Sequence, residues 1–431
     1  FNTVVMKTIK LSTIFFICLF LVNPLFGQAN ANIEGNAGQD SVRVYPEKMP
    51  DKTTWEKIVS FPGTLLYLPL KLIFIGTEET VTYVQESEKL AKLRQMLIPK
   101  VRIRGVLPAY SIRSGVGLKY YYNDIIGEGS KLTVSTKAGF VDNRQKHYIR
   151  LRDMVLGNNF VSTMFFQYRY LTRESFFGIG SNSDFEAISS YALEKTTAQV
   201  HLGYRINSKA TLNAFAQFEQ NGVFAGRDKD DPLLTEIPSD SLPGLGTRIK
   251  MGTLGFSLIL DSRNLPGRAT AGWEVALSGS ISDQISRNDF KYWKFMADVK
   301  RYVHLFYNRT LVFRIAAERM RPLSGNEIPF FYLSELGRRE TIRGFTRGRF
   351  RDNDMLLASI EYRYPIWHYF DAVLYCDAGQ VSPDLTDTFA FDNFKFGFGG
   401  GIRVHSSRGL VLKLEIGVST DRTRFYGVLN E

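Results

Sequence analysis

From residue 101 onward, apolar and polar side chains alternate with a period of two. In 131–140, Leu132, Val134, Thr136, Ala138 and Phe140 fall on one side, with Lys131, Thr133, Ser135 and Lys137 on the other. In 198–206, Val200, Leu202, Tyr204 and Ile206 oppose Gln199, His201 and Arg205; in 410–418, Leu410, Leu412, Leu414, Ile416 and Val418 oppose Lys413 and Glu415. Successive side chains of a strand point to opposite faces, so the pattern predicts strands with one apolar and one polar face. The spans are 101–110, 115–124, 129–141, 146–157, 160–171, 190–206, 209–221, 249–263, 269–283, 291–305, 308–322, 354–366, 370–381, 394–405, 409–420 and 424–431. A soluble sandwich gives the same alternation, so the connectors decide. Those at 125–128, 158–159, 207–208, 264–268, 306–307, 367–369 and 406–408 are tight, whereas 172–189, 222–248, 323–353 and 382–393 are long. Short turns on one rim, long loops on the other and an even strand number of about sixteen predict an all-β transmembrane barrel. Its closure satisfies the backbone groups that lipid cannot. Tyr120 to Tyr122, Phe165, Phe166, Tyr362, Tyr364 and Trp367 are expected as interfacial aromatics.

The first hundred residues follow a different pattern. Lys7 and Lys10 precede an apolar run from Ile14 to Val22, with small residues near Gly27 to Ala31. This predicts a secretory signal peptide over 1–27, the five residues before Met6 being upstream sequence. Its removal takes two lysines and no acids from a formal charge of +11. Export follows, to the outer membrane of a Gram-negative cell. Cys18 leaves with the signal and Cys376 stays alone, so no disulfide is expected within the mature chain. Residues 28–100 are predicted as a periplasmic N-terminal segment. A polar stretch to Lys52 leads to an apolar piece broken at Pro62 and Pro69, then a helical stripe of Leu90, Leu93 and Leu97 ending at Pro99. Such apolar and amphipathic helices suit lying on the inner leaflet, plugging the barrel foot or docking a periplasmic or membrane partner.

The long connector 323–353 holds Arg338, Arg339, Arg343, Arg347, Arg349 and Arg351, with Gly344, Phe345, Gly348 and Phe350 among them. Ile342-Arg343-Gly344-Phe345 matches the (I/V)-R-G-(F/Y) motif of a large external loop, and here the sequence resembles the outer-membrane assembly superfamily of BamA/TamA type and its two-partner-secretion relatives. In that family the loop folds back into the lumen, and its arginine meets acids on the inner wall of the next two strands. The resemblance therefore implies a loop-lock motif of Ile342, Arg343, Gly344 and Phe345, with Glu361 and Asp377 (in Tyr375-Cys376-Asp377-Ala378-Gly379) as acidic partners. Alternation places both acids inside independently. Leu356, Ala358, Ile360, Tyr362 and Tyr364 share the outer face of one strand, and Ala372, Leu374, Cys376 and Ala378 that of the next. Further resemblance lies in Asp261-Ser262-Arg263 with Pro266 and Gly272, and in the glycine-rich 394–401 ahead of Arg403. The resemblance covers 101–431. It implies help with protein insertion or export, with outer-membrane proteins as clients and outer-membrane lipid and lipopolysaccharide as surroundings. Two departures stand out. Residues 28–100 do not fit the POTRA modules that receive clients in the family, and the terminal "RFYGVLNE" lacks the usual closing aromatic.

Other chemistry is not expected. The arginine loop has the composition of a nucleic-acid patch, but export and its acidic partners argue against nucleic acid. Gly397 to Gly401 lacks the lysine and hydroxyl of a phosphate loop and sits in strand periodicity, where it suits bending or the close approach of a loop. His405-Ser406-Ser407 falls in a short turn, and His147, His201, His304 and His368 have no metal-ligand spacing. No enzyme, cofactor or metal is expected. The mechanism expected is a weak seam between 101–110 and 424–431. The rival expectations are a closed structural scaffold or lipid-handling barrel with no client passage, and a passive pore.

Overall fold

The computed structural model describes residues 103–429, apart from 112, 141, 229–230, 237–241, 266–267, 286, 368–369 and 407–408. The expected signal peptide and the segment 28–100 lie outside the described residues. The strands are β1 (Arg104–Ser111), β2 (Gly115–Asn123), β3 (Lys131–Ala138), β4 (Gln145–Val155), β5 (Phe160–Phe176) and β6 (Ser189–Asn207). They continue as β7 (Ala210–Ala225), β8 (Arg248–Asp261), β9 (Gly272–Gln284), β10 (Lys291–His304), β11 (Thr310–Pro322), β12 (Ser334–Leu336) and β13 (Phe350–Asp352). The last five are β14 (Asp354–Trp367), β15 (Phe370–Ser382), β16 (Lys395–Ser406), β17 (Gly409–Val418) and β18 (Thr423–Leu429). Sixteen of them form one antiparallel sheet in chain order, from β1 to β11 and then β14 to β18. β12 and β13 pair separately as a short ribbon inside the long loop. Among the described residues no pairing joins β1 to β18.

Register rows show why this sheet belongs in lipid. Leu202, Ala214, Phe256, Gly279 and Phe295 are successive partners across β6 to β10. Leu254 and Phe256 are 69% and 66% exposed, on a face that is apolar along the middle of these strands. The opposite face holds polar pairs such as Thr253 with Ser282 (2.8 Å), Lys294 with Glu318 (2.6 Å) and Arg314 with Asp298 (2.7 Å). A sandwich buries its apolar faces against each other; here the apolar face is outside and the polar face inside, as in an outer-membrane barrel. No helix of the described residues is long and apolar enough to cross a membrane.

The structure extends two strands beyond the sequence expectation. β5 runs to Phe176 rather than 171 and β7 to Ala225 rather than 221, so the loops between are shorter. The upper ends of β5 to β7 carry Phe176, Tyr191, Leu193 and Val223, which pack with Leu234, Leu242, Leu245 and Phe330 from two external loops. The apolar partners that hold the extra ladder are distant in sequence, which local alternation does not register. This packed cap joins the long-loop ends of β5 to β7 to two external loops.

Candidate functional site

The ribbon β12–β13 closes the base of the arginine loop and carries residues 337–349 into the lumen. Ile342 and Phe345 are fully buried with Leu336, Phe350, Leu357 and Val381, and Phe345 meets Phe350 edge-on at 5.2 Å. Gly344 has φ 101°, a conformation that costs an L side chain about 1 kcal/mol or more, and a Cβ there would collide with the Val418 and Ser419 backbone. The wall makes way in turn: a Cβ at Gly397 would run into the Arg343 carbonyl, and one at Gly417 would stand 2.6 Å from the Gly344 nitrogen.

This approach sets the Arg343 side chain against three strands. Its Nε and Nη2 donate to the two oxygens of Asp377 on β15, both at 2.7 Å, and its backbone N–H donates to Asp377 Oδ2 at 3.1 Å. Nη1 lies 3.3 Å from Glu361 Oε1 on β14 and 3.6 Å from Glu415 Oε2 on β17. The guanidinium stacks on Tyr375, 3.3 Å from its ring centroid. Arg343 is 4% exposed and Asp377 0%, so the bidentate pair is dry. Burial would lower the Arg343 pKa, but the hydrogen bonds and charges of Asp377, Glu361 and Glu415 outweigh it and raise the pKa. Ser359 Oγ donates to Asp377 Oδ1 at 2.5 Å.

The structure thus brings Arg343 together with Glu361 and Asp377, and it adds residues the sequence did not single out. Arg403 on β16 bridges Glu361 (2.9 Å) and Glu415 (2.7 Å), Arg363 reaches Glu361 at 3.3 Å, and Lys413 reaches Glu415 at 3.5 Å. Alternation had set Lys413 and Glu415 on the polar face of their strand, and the glycine-rich resemblance had reached Arg403, but neither signal joined them to Arg343. The loop also grips the last strand: Gly344 N–H donates to Tyr426 Oη at 2.9 Å, and Arg424 Nη2 donates to Thr346 Oγ1 at 2.7 Å. Arg349 pairs with Asp421 at 2.6 Å and donates to Ser183 of another external loop.

At the inner rim Arg263 joins Asp261 (2.6 Å) and Glu274 (2.8 Å) around the turn after β8. His405 lies 2.8 Å from Asp371, which also pairs with Arg268 at 2.7 Å. Among the described residues no group of His, Cys, Asp and Glu is placed to hold a metal.

A family model described as the Omp85 superfamily domain matches residues 124–426. No curated protein matches the chain significantly. Among solved structures, BamA from Haemophilus ducreyi lacking POTRA domains 1-3 is similar at 14% identity and TM-score 0.55, over 75% of this chain and 70% of that one. CdiB from Acinetobacter baumannii matches at 12% identity and TM-score 0.46 over 76% of this chain, and CdiB from Escherichia coli at 12% and 0.49 over 77%. This chain spans only 59% and 62% of those two proteins.

Proposed function

This chain belongs to the Omp85 superfamily and is an outer-membrane β-barrel, and we propose that it assists protein insertion or export at that membrane as a subunit of a larger complex. The observation that carries this reading is the unpaired edge: the sheet begins at β1 and ends at β18 with no ladder between them among the described residues. An edge strand offers free N–H and C=O groups to an incoming strand, and lipid cannot satisfy them. A client outer-membrane strand can. The arginine loop holds this edge through Tyr426 and Arg424 while Arg343 is anchored on Asp377 and Glu361, so the lock bears on the seam. Residues 28–100 would bind a periplasmic or membrane partner, and no catalytic chemistry is needed.

The test uses cysteine pairs, one on β1 and one on β18, in a Cys376→Ser background. Insertion of a reporter outer-membrane protein into proteoliposomes should stop when the pair is oxidised and return on reduction. Activity unaffected by a verified crosslink would overturn the reading in favour of a closed scaffold or lipid-handling barrel. The arginine loop held on the inner wall favours an occupied lumen over a passive pore, so steady large conductance in planar bilayers is not expected.

A further inference from the structure

The arginine loop brings more positive charge into the barrel than its acids balance. Glu335 on β12 receives Arg338 Nη1 at 3.0 Å, Arg351 Nη2 at 3.5 Å and Arg347 Nη2 at 3.6 Å. Two wall arginines join them. Arg113, in the β1–β2 turn, forms a two-pronged pair with Glu174 on β5. Glu174 faces inward because β5 slips register between Leu171 and Glu174, which returns it to the face that carries Arg169. Glu335 lies within electrostatic reach of Arg113, and Arg169 within reach of Arg113, Glu174 and Glu335, so the two groups form one neighbourhood.

Five guanidinium groups therefore share two carboxylates. The bordering pairs Lys195–Glu219 (2.5 Å) and Lys294–Glu318 (2.6 Å) are balanced and leave the excess unchanged. The Nε atoms of Arg169 and Arg338 are buried without a hydrogen-bond acceptor, which a protein interior rarely tolerates. Yet the side chains of Arg347, Arg113 and Arg338 remain 39%, 32% and 32% exposed, so the cluster is open to a small solute. The imbalance marks the loop groups. Burial and the nearby Arg113 push the Arg347 guanidinium down to about 10. At Glu335 the charges of Arg351, Arg347 and Arg338 overcome burial and hold the carboxyl at about 2.

We propose that this cluster is a binding site for a phosphate-bearing anion, held by Arg338 and Arg347 of the loop and Arg113 and Arg169 of the wall. Guanidinium forks match tetrahedral oxyanions in geometry and charge. Glu335 occupies the site as an internal competitor. The anion would bridge the loop to the β1–β5 part of the wall, away from the strands β14, β15 and β17 that hold Arg343. Free phosphate compounds and phosphorylated lipid headgroups present the same chemistry.

Calorimetric titration of the full chain in detergent, with inorganic pyrophosphate and separately with mixed micelles containing phosphatidic acid, tests this. Saturable, salt-weakened binding of one equivalent is expected. Arg347→Gln should weaken it tenfold or more, and Glu335→Gln should tighten it. Arg287→Gln makes the same charge change on an exposed external loop and should leave binding unchanged. Binding of pyrophosphate alone assigns the site to free anions, and displacement of pyrophosphate by the lipid micelles assigns it to a headgroup. Heat-modifiable mobility checks folding. If Arg347→Gln does not fold, Arg347→Lys keeps the charge, loses the fork and should bind several-fold more weakly. Absence of saturable binding to either probe, or equal weakening by Arg287→Gln, would overturn the proposal.

Discussion

Removing the Arg343 guanidinium would strand Asp377, which has no exposure and is held by both prongs of that side chain. Breaking a buried pair from one side costs roughly 3–5 kcal/mol. Arg343→Ala should therefore release the loop, raise membrane leak and speed loop proteolysis while leaving membrane integration intact. Bilayer conductance and proteolysis unchanged from wild type would count against the lock. Arg343→Lys keeps the charge but loses the fork and the flat stacking on Tyr375, so it should fall between the two. Asp352, on the loop ribbon, has a carboxyl raised by burial to about 6. A folded-state pKa above the unfolded value means that the ribbon is favoured at low pH and loses that advantage as pH rises from about 4 to about 6. Asp352→Asn should remove this dependence and slow loop proteolysis at pH 7; identical pH profiles for both proteins would sink the assignment. At this scale the sequence carried Arg343, Glu361 and Asp377 through a motif resemblance and a consistent facing pattern. It could not pair Glu415 or Arg403 with them, because alternation along one strand says which face a residue takes and nothing about its neighbours across the lumen.

Elements succeed or fail here by how closely they meet. The arginine loop lies against the wall only because Gly397 and Gly417 have no side chains where Arg343 and Gly344 pass. Gly417→Val should push the loop away and expose the loop arginines to trypsin, as Arg343→Ala does, without touching a charge. A variant as resistant as wild type would show that the close approach is dispensable. The strand boundaries were largely legible in the sequence, since lipid outside and water inside impose opposite demands on alternate residues. The tops of β5 and β7 were not, because what buries Phe176 and Val223 comes from Leu234, Leu242 and Phe330 far along the chain. Phe330→Ala removes the centre of that cluster and should cost about 3–5 kcal/mol. The loss should appear as faster hydrogen exchange confined to the ends of β5 to β7.

For the whole molecule the central relation is between an inner fastening and the β1 and β18 ends of the sheet, which no ladder joins among the described residues. Arg343 sits on β14, β15 and β17, while its neighbours Gly344 and Thr346 hold β18, so one loop ties the wall to the strand that borders the seam. The edge was expected from the family resemblance. Its coupling to the loop was not, since Tyr426 and Arg424 carry no local signal. Spin labels at Ala109→Cys on β1 and Gly427→Cys on β18, in a Cys376→Ser background, report the seam directly. In lipid, pulsed dipolar spectroscopy should give one narrow distance with Arg343 in place and a broader, longer distribution in Arg343→Ala. The same narrow distribution in both would contradict a seam governed by the arginine loop.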